Sequence, residues 1–324
     1  MLRHFGRHGE IALGSRLRWI SLALIACLLA ACGGVPQIPE ARQAAVIPSS
    51  SAAPVPTSAP TATAVPLPTS APAQTPVPVA GATHPRRVAL TWRVAVTDTV
   101  PVLMFHDIGN PPPGTPYRDL WVPTAAFGLE VQALKARGWT TITAAQLGRA
   151  MQTRTPVLAK TLVISLDDGR NNNYTNAFPI LQQAGFVATF YSPAGLPGES
   201  SRMSYDELAV LAGAGMEIAN HTMTHANLPK VGAMRLATEI TGAGERLQTE
   251  LAIRGVTTTV STFAYPYGHV SPAAVRLLAE DGYTLAVTTR PGKAAIGATD
   301  PLLCPRVRVH GAETLSRFLA SIGA

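Results

Sequence analysis

Residues 161–169 read Thr-Leu-Val-Ile-Ser-Leu-Asp-Asp-Gly. A short apolar run stopped by a glycine is the pattern of a strand buried on both faces. In an α/β protein the loops at strand ends carry the polar groups that the interior cannot accommodate. Asp167 and Asp168 are therefore expected at the end of a buried strand. The same rhythm runs from Pro101 onward: extended segments at 101–105, 140–143, 187–191, 216–219, 259–264, 283–288 and 307–309 alternate with helical ones. The helical segments lie at 124–137, 144–151, 176–184, 204–211, 233–253, 271–281 and 313–321. Thr124 is placed as one N-cap, and Ser204-x-x-Glu207 reads as a capping box. About eight strands alternating with helices select an α/β architecture with parallel strands, either a barrel or a doubly wound sheet. No G-x-G-x-x-G or Walker loop is present, so the barrel is the preferred fold.

The first third of the 324 residues does not share this rhythm. Residues 1–19 are basic, and Ile20 to Ala31 is an apolar stretch ending Leu-Ala-Ala-Cys32-Gly33. About a dozen apolar residues suit a signal-peptide core better than a membrane span. The Leu-Ala-Ala-Cys sequence resembles a bacterial lipoprotein box, which implies a signal peptide over 1–31 and lipidation of Cys32. Acyl chains contribute roughly 0.8 kcal/mol per buried CH₂, so several on one cysteine anchor stably. Residues 32–83 are Pro-, Ala-, Thr- and Ser-rich with almost no charge. They are expected to form a disordered tether, reaching about 150 Å if extended at roughly 3.1 Å per residue. The expected address is the outer face of the bacterial cytoplasmic membrane or the cell surface, with the membrane as partner. A globular domain is then expected over 84–324, with a further strand around Val94-Ala95-Val96.

The net charge is +7. Residues 1–32 hold Arg3, Arg7, Arg16 and Arg18 against Glu10, leaving 22 basic and 18 acidic residues in the rest. That mild excess, without a Lys/Arg run, gives no support to nucleic-acid binding. The three cysteines cannot form a disulfide framework, and Cys304 is expected as a buried small hydrophobe.

Four segments end at one edge in this reading: His106 after the first strand, Asp167-Asp168, His221-Thr-Met-Thr-His225 and Tyr265-Pro-Tyr267-Gly268. Two imidazoles and a carboxylate make a three-ligand divalent site with an open position, the pattern of catalytic zinc. Such a site supports hydrolysis of an amide or ester. Because side chains alternate along a strand, adjacent aspartates divide the labour: one ligates and one accepts a proton.

Ser-Leu-Asp-Asp-Gly, Asn-His-Thr-Met-Thr-His, Phe-Ala-Tyr-Pro-Tyr-Gly and Pro305-Arg-Val-Arg-Val309 resemble, in order, the motifs of NodB-type polysaccharide deacetylases, carbohydrate esterase family 4. The opening Pro-Val-Leu-Met-Phe-His-Asp-Ile resembles the branch that includes poly-β-1,6-N-acetylglucosamine deacetylases. The resemblance spans residues 101–324, with its motif core at 161–324. It implies a distorted (β/α) barrel and a metal-dependent hydrolase, a polysaccharide deacetylase acting on linear amides, whose partner is an N-acetylated polysaccharide, an N-acetylglucosamine polymer being favoured. Carried over, Asp167 is the general base, and Asp168, His221 and His225 are the metal ligands. The metal expected is zinc, with cobalt or nickel as substitutes. The Tyr267 backbone N–H is the expected oxyanion donor. His106 is the expected general acid, with His310 the alternative. Ala264 stands where many members carry the arginine that orients the base, leaving Arg290 and Arg306 as candidates. Arg170 replaces a common aromatic after Asp-Asp-Gly. The missing third-motif arginine is the best support for the alternative reading, a catalytically degenerate glycan-binding lipoprotein of the same fold.

Overall fold

The computed structural model describes residues 95–324. The expected signal peptide, Cys32 and the tether lie outside the described residues.

Seven parallel strands close into a ring that follows chain order. They are β1 (Val102–Phe105), β2 (Thr161–Leu166), β3 (Thr189–Ser192), β4 (Glu217–Asn220), β5 (Thr262–Ala264), β6 (Leu285–Pro291) and β7 (Cys304–Arg308). β7 pairs back onto β1 with Val307 opposite Leu103, and β1 pairs with β2 with Leu103 opposite Ile164. The expected (β/α) barrel is the observed fold, with seven strands instead of about eight. The eighth segment, Thr140–Thr141, pairs only with the start of β2 and leaves the ring. Thr143 ends it at once by capping the following helix. The strand expected around Val94 is a two-residue piece, Val96–Thr97, antiparallel to Val157–Leu158.

Among the described residues eight α-helices surround or plug the ring: α1 (Thr124–Ala136), α2 (Ala144–Thr153), α3 (Phe178–Ala184), α4 (Tyr205–Gly213), α5 (Ala233–Ala237), α6 (Ala243–Ile253), α7 (Pro272–Glu280) and α8 (Leu315–Ile322). The Ser204–Glu207 capping box is present at α4. Thr124 is not a cap: Pro123 occupies that position, and no side chain bonds the first turn. The single helix expected over 233–253 is broken by a π-helical turn at Thr238–Gly242. The reason is a tertiary contact, since the Glu239 carboxylate is buried and accepts bonds from Met223 N, Thr224 N and Thr224 Oγ1. The bulge keeps Glu239 on the loop between His221 and His225, a common use of π turns. A similar turn at Asn173–Ala177 delays the start of α3.

Side chains alternate across the ring. Ile164 and Leu166 join the outer core against the helices, while Val163 joins Tyr191, Ala219, Ala264, Val287 and Cys304 in the interior. α2 fills the lower mouth with Ala144, Leu147 and Met151. Its N-terminus is met by Glu217, whose carboxylate accepts from Ala145 N, Thr189 Oγ1 and Thr262 Oγ1. A carboxylate there is favoured by the helix dipole. Cys304 is buried in this interior, and burial pushes its thiol up to about 12. It is the small hydrophobe expected.

Glu130 on α1 is 3% exposed, and burial together with the neighbouring Glu313 carboxylate pushes it up to about 8. A carboxyl raised on folding binds a proton in the native chain that the unfolded chain has released above its ordinary value of 4.5. Stability therefore falls as pH rises from about 4.5 to about 8, and the loss is complete above that window. Glu130→Gln should leave stability unchanged near pH 4 and raise it by a few kcal/mol near pH 9. Urea midpoints at the two pH values would check this, and equal midpoints of variant and parent at pH 9 would refute it.

Candidate metal centre

The β2 alternation that puts Val163 and Ser165 inside the ring puts Asp167 inside as well. There Arg306, an inward position of β7, meets it: Nη1 donates to Asp167 Oδ1 at 2.8 Å and Nη2 to Oδ2 at 2.7 Å. The remaining donors are also used, Nε on the Thr288 carbonyl at 2.8 Å and Nη1 on Ser165 Oγ at 3.1 Å. Both partners are buried, Arg306 to 1% and Asp167 to 2% exposure. A bidentate fork fixes both the position and the plane of a carboxylate. Burial alone would raise the Asp167 carboxyl, but the Arg306 guanidinium reverses this and holds it below its ordinary value. Of the two candidate arginines, Arg306 is the one that meets Asp167, while Arg290 is exposed on the far end of β6.

Continued alternation would turn Asp168 outward. Instead Asp168 adopts the left-handed region (φ 73) and Gly169 follows it (φ 64), so the chain folds over the upper mouth. Asp168 Oδ1 then lies 3.4 Å from His221 Nε2 and 3.2 Å from His225 Nε2. The two rings are edge to face with centroids 4.9 Å apart. Each presents Nε2 to this point because its Nδ1 is held elsewhere. His221 Nδ1 donates to the Ala264 carbonyl at 2.7 Å, and His225 Nδ1 meets the Tyr267 hydroxyl at 3.2 Å. Such outer contacts select the tautomer and ring angle that a ligating histidine needs. Among the described residues, Asp168, His221 and His225 are the group whose ligand atoms converge, all within 4.8 Å of one another. The donor set fits a divalent cation of the zinc type: two nitrogens, one oxygen and room for a further ligand.

Asp168 carries further contacts that sequence reasoning did not find. Arg170 Nη2 reaches its Oδ2 at 3.3 Å, and Arg202 Nη1 donates to its backbone carbonyl. Asp107 lies 3.6 Å from Arg170 Nε and accepts from Asn172 Nδ2 at 2.9 Å. No spacing motif signals this network, because its members come from three separate loops.

The remaining candidates separate by place. His106 Nε2 is 3.9 Å from Asp167 Oδ2, and burial holds its imidazole below the ordinary value against the pull of Asp167. His310 lies 3.9 Å from Asp119 Oδ2 and is about half exposed; its ion-pair partner is Asp119 and not Asp167. Tyr267 has left-handed backbone (φ 61, ψ 3), and its N–H donates to no acceptor among the described residues. Its hydroxyl contact to His225 is a role that the backbone expectation missed. Asp168, Thr222, His225 and Tyr267 are all left-handed non-glycine residues around one point. Strain of about 1–3 kcal/mol each persists where the surroundings enforce it, commonly at functional sites.

Gly268 completes the Tyr267 turn at φ 71, and a Cβ there would collide with the Thr289 side chain. Gly268→Ala should cost about 2–4 kcal/mol from the left-handed backbone and the clash together. The denaturation midpoint measures it, and an unchanged midpoint would show that the turn relaxes freely.

With this geometry in place, the comparisons with known proteins are specific. The family model described as polysaccharide deacetylase matches residues 154–286. The chain is 25% identical over 244 residues to poly-β-1,6-N-acetyl-D-glucosamine N-deacetylase of Escherichia coli (strain K12), covering 63% of this chain and 36% of that one. It is 26% identical over 196 residues to YxkH of Bacillus subtilis (strain 168), covering 60% of this chain and 66% of that one. The chain thus spans under two thirds of the length of both relatives. BC0361, a polysaccharide deacetylase from Bacillus cereus, superposes with a TM-score of 0.61 at 30% identity, over 69% of each chain. By that likeness, by the family match and by a seven-stranded barrel that gathers Asp168, His221 and His225 at its mouth, the chain belongs to the polysaccharide deacetylase family.

Proposed function

We propose that this chain is a metal-dependent hydrolase that removes N-acetyl groups from a cell-surface or extracellular polysaccharide, an N-acetylglucosamine polymer. The observation that carries the reading is the juxtaposition of two separately held carboxylates. Asp168 Oδ1 faces two imidazole Nε2 atoms, while its neighbour Asp167 is clamped by Arg306 and touched by His106. Asp168, His221 and His225 would hold the cation, zinc by donor type with cobalt or nickel as substitutes. When bound, the cation supplies Lewis-acid polarisation of the acetyl carbonyl and acidifies water at the open position.

The chain's own residues then divide the proton work. Asp167, ionised and fixed in plane by Arg306, accepts the proton of the water that attacks the acetyl carbon. The Tyr267 N–H, free of other acceptors, donates to the developing oxyanion. His106, across Asp167, relays to the sugar nitrogen the proton that Asp167 took from the water as the carbon–nitrogen bond breaks, leaving acetate and a free amine. The degenerate-binder reading rested on Ala264. The Arg306 fork on Asp167 supplies a partner for that carboxylate despite Ala264 and so favours the catalytic reading.

The test is direct. Full-length chain loaded with zinc or cobalt should release acetate from an N-acetylglucosamine oligomer. Stoichiometric metal without turnover of any acetylated glycan, peptidoglycan fragment or chromogenic acetate ester would overturn the reading. The proposal extends to an address, with lipidated Cys32 anchoring the enzyme at the outer membrane face or cell surface. Cys32→Ser should then shift the protein from the membrane fraction to the soluble fraction.

A further inference from the structure

Beside the metal centre lies a groove of about 440 Å³ that the proposed reaction does not use. Its walls include Lys230 and Arg290 together with His269, Asn227 and Gly268. Lys230 ends the short turn Leu228–Lys230 that follows the His225 loop, and Arg290 projects from the upper end of β6. Both are exposed, and neither has a carboxylate partner among the described residues. No acidic residue lines the groove. The contrast with the opposite rim is informative, for there Arg170 is matched by both Asp107 and Asp168. An aromatic path joins groove and centre: the His225 ring is 4.7 Å from Tyr267, and Tyr267 is 5.7 Å from His269.

Two unmatched cations converging from different elements into one concavity form a site for negative charge. Resting on the deacetylase reading above, we propose that this groove is a subsite for an acidic substituent, carboxylate or phosphate, on a sugar next to the one being deacetylated. The N-acetylglucosamine polymer is then one that also carries acidic groups. A neighbouring sugar already converted to an ammonium is repelled there, so the enzyme disfavours binding beside its own product.

Calorimetric binding to the metal-loaded full chain tests this with three probes. One is a neutral N-acetylglucosamine oligomer, one alternates glucuronate with N-acetylglucosamine, and one is a phosphodiester-linked N-acetylhexosamine oligomer. At least one acidic probe should bind about tenfold tighter than the neutral one at low salt, an advantage that shrinks at high salt. The probe that does so identifies the anion. The Lys230→Gln/Arg290→Gln double variant should abolish the preference and leave neutral binding unchanged. Equal affinity for all three probes, or a preference that survives the double variant, would overturn the subsite. Acetate release from the neutral probe with no charge preference removes the subsite and keeps the deacetylase reading. A charge preference without any acetate release does the reverse.

Discussion

Arg306→Met will be the most damaging single change in the barrel interior. It removes the guanidinium and leaves the Asp167 carboxylate buried without its partner, at a cost of about 3–5 kcal/mol. Two hydrogen bonds at 2.7 and 2.8 Å are lost with the charge, as is the tie to Ser165 and the Thr288 carbonyl. Urea denaturation reads the stability, and acetate release by the folded fraction should fall by about 10²-fold or more, because the proton acceptor is no longer held in plane. Arg306→Lys separates charge from geometry. A lysine restores a positive charge but cannot span both carboxylate oxygens. The lysine variant should therefore recover much of the stability and little of the turnover, with kcat lowered and KM near the parent value. If the methionine variant is as stable and active as the parent, Arg306 does not orient Asp167.

Asp167→Asn should be the most damaging change to chemistry. An amide in the same place cannot accept the proton of the attacking water, and loss of a positioned base costs about 10²–10⁴-fold in rate. Metal content should stay at one equivalent, because Asp167 is not among the converging ligand atoms. Asp168→Asn provides the contrast, since it weakens one of those three ligands and should lower metal content as well as turnover. Retained acetate release by the Asp167 variant would remove that residue from its role. Metal loss in it would mean that the two carboxylates do not divide their labour as their positions suggest.

Much of this barrel was legible in the chain, because the signals were local. Thr-Leu-Val-Ile-Ser-Leu is mostly apolar because β2 is covered on both faces, and all six of its residues are buried. Ser204 and Glu207 satisfy each other's backbone donors wherever such a pair opens a helix. The Asp-Asp pair could be placed at a strand end because it directly follows an apolar run, and the His-x-x-x-His pair because it follows the short extended segment 216–219. What failed was equally physical. The break in the 233–253 helix depends on Glu239 being drawn to the backbone of Met223 and Thr224, a contact between separate segments. The strand count exceeded the ring by one because Thr140–Thr141 is extended without being long enough to join it.

The sequence by itself determined the alternating parallel architecture, the two carboxylates at the end of β2 and the pair of histidines four residues apart, since each rests on periodicity and spacing along one segment. Only the tertiary structure decided which arginine serves Asp167. Arg290 and Arg306 were equal candidates in the chain, 16 positions apart. Ring closure places β7 beside β1 and turns Arg306 inward beneath Asp167, while Arg290 stays outside at the end of β6. Likewise the left-handed turn at Asp168, and not its place in the strand, brings its carboxylate onto His221 and His225. Interior charges are assigned by which side chains share the inside of a closed ring, and a linear pattern of residues does not carry that information.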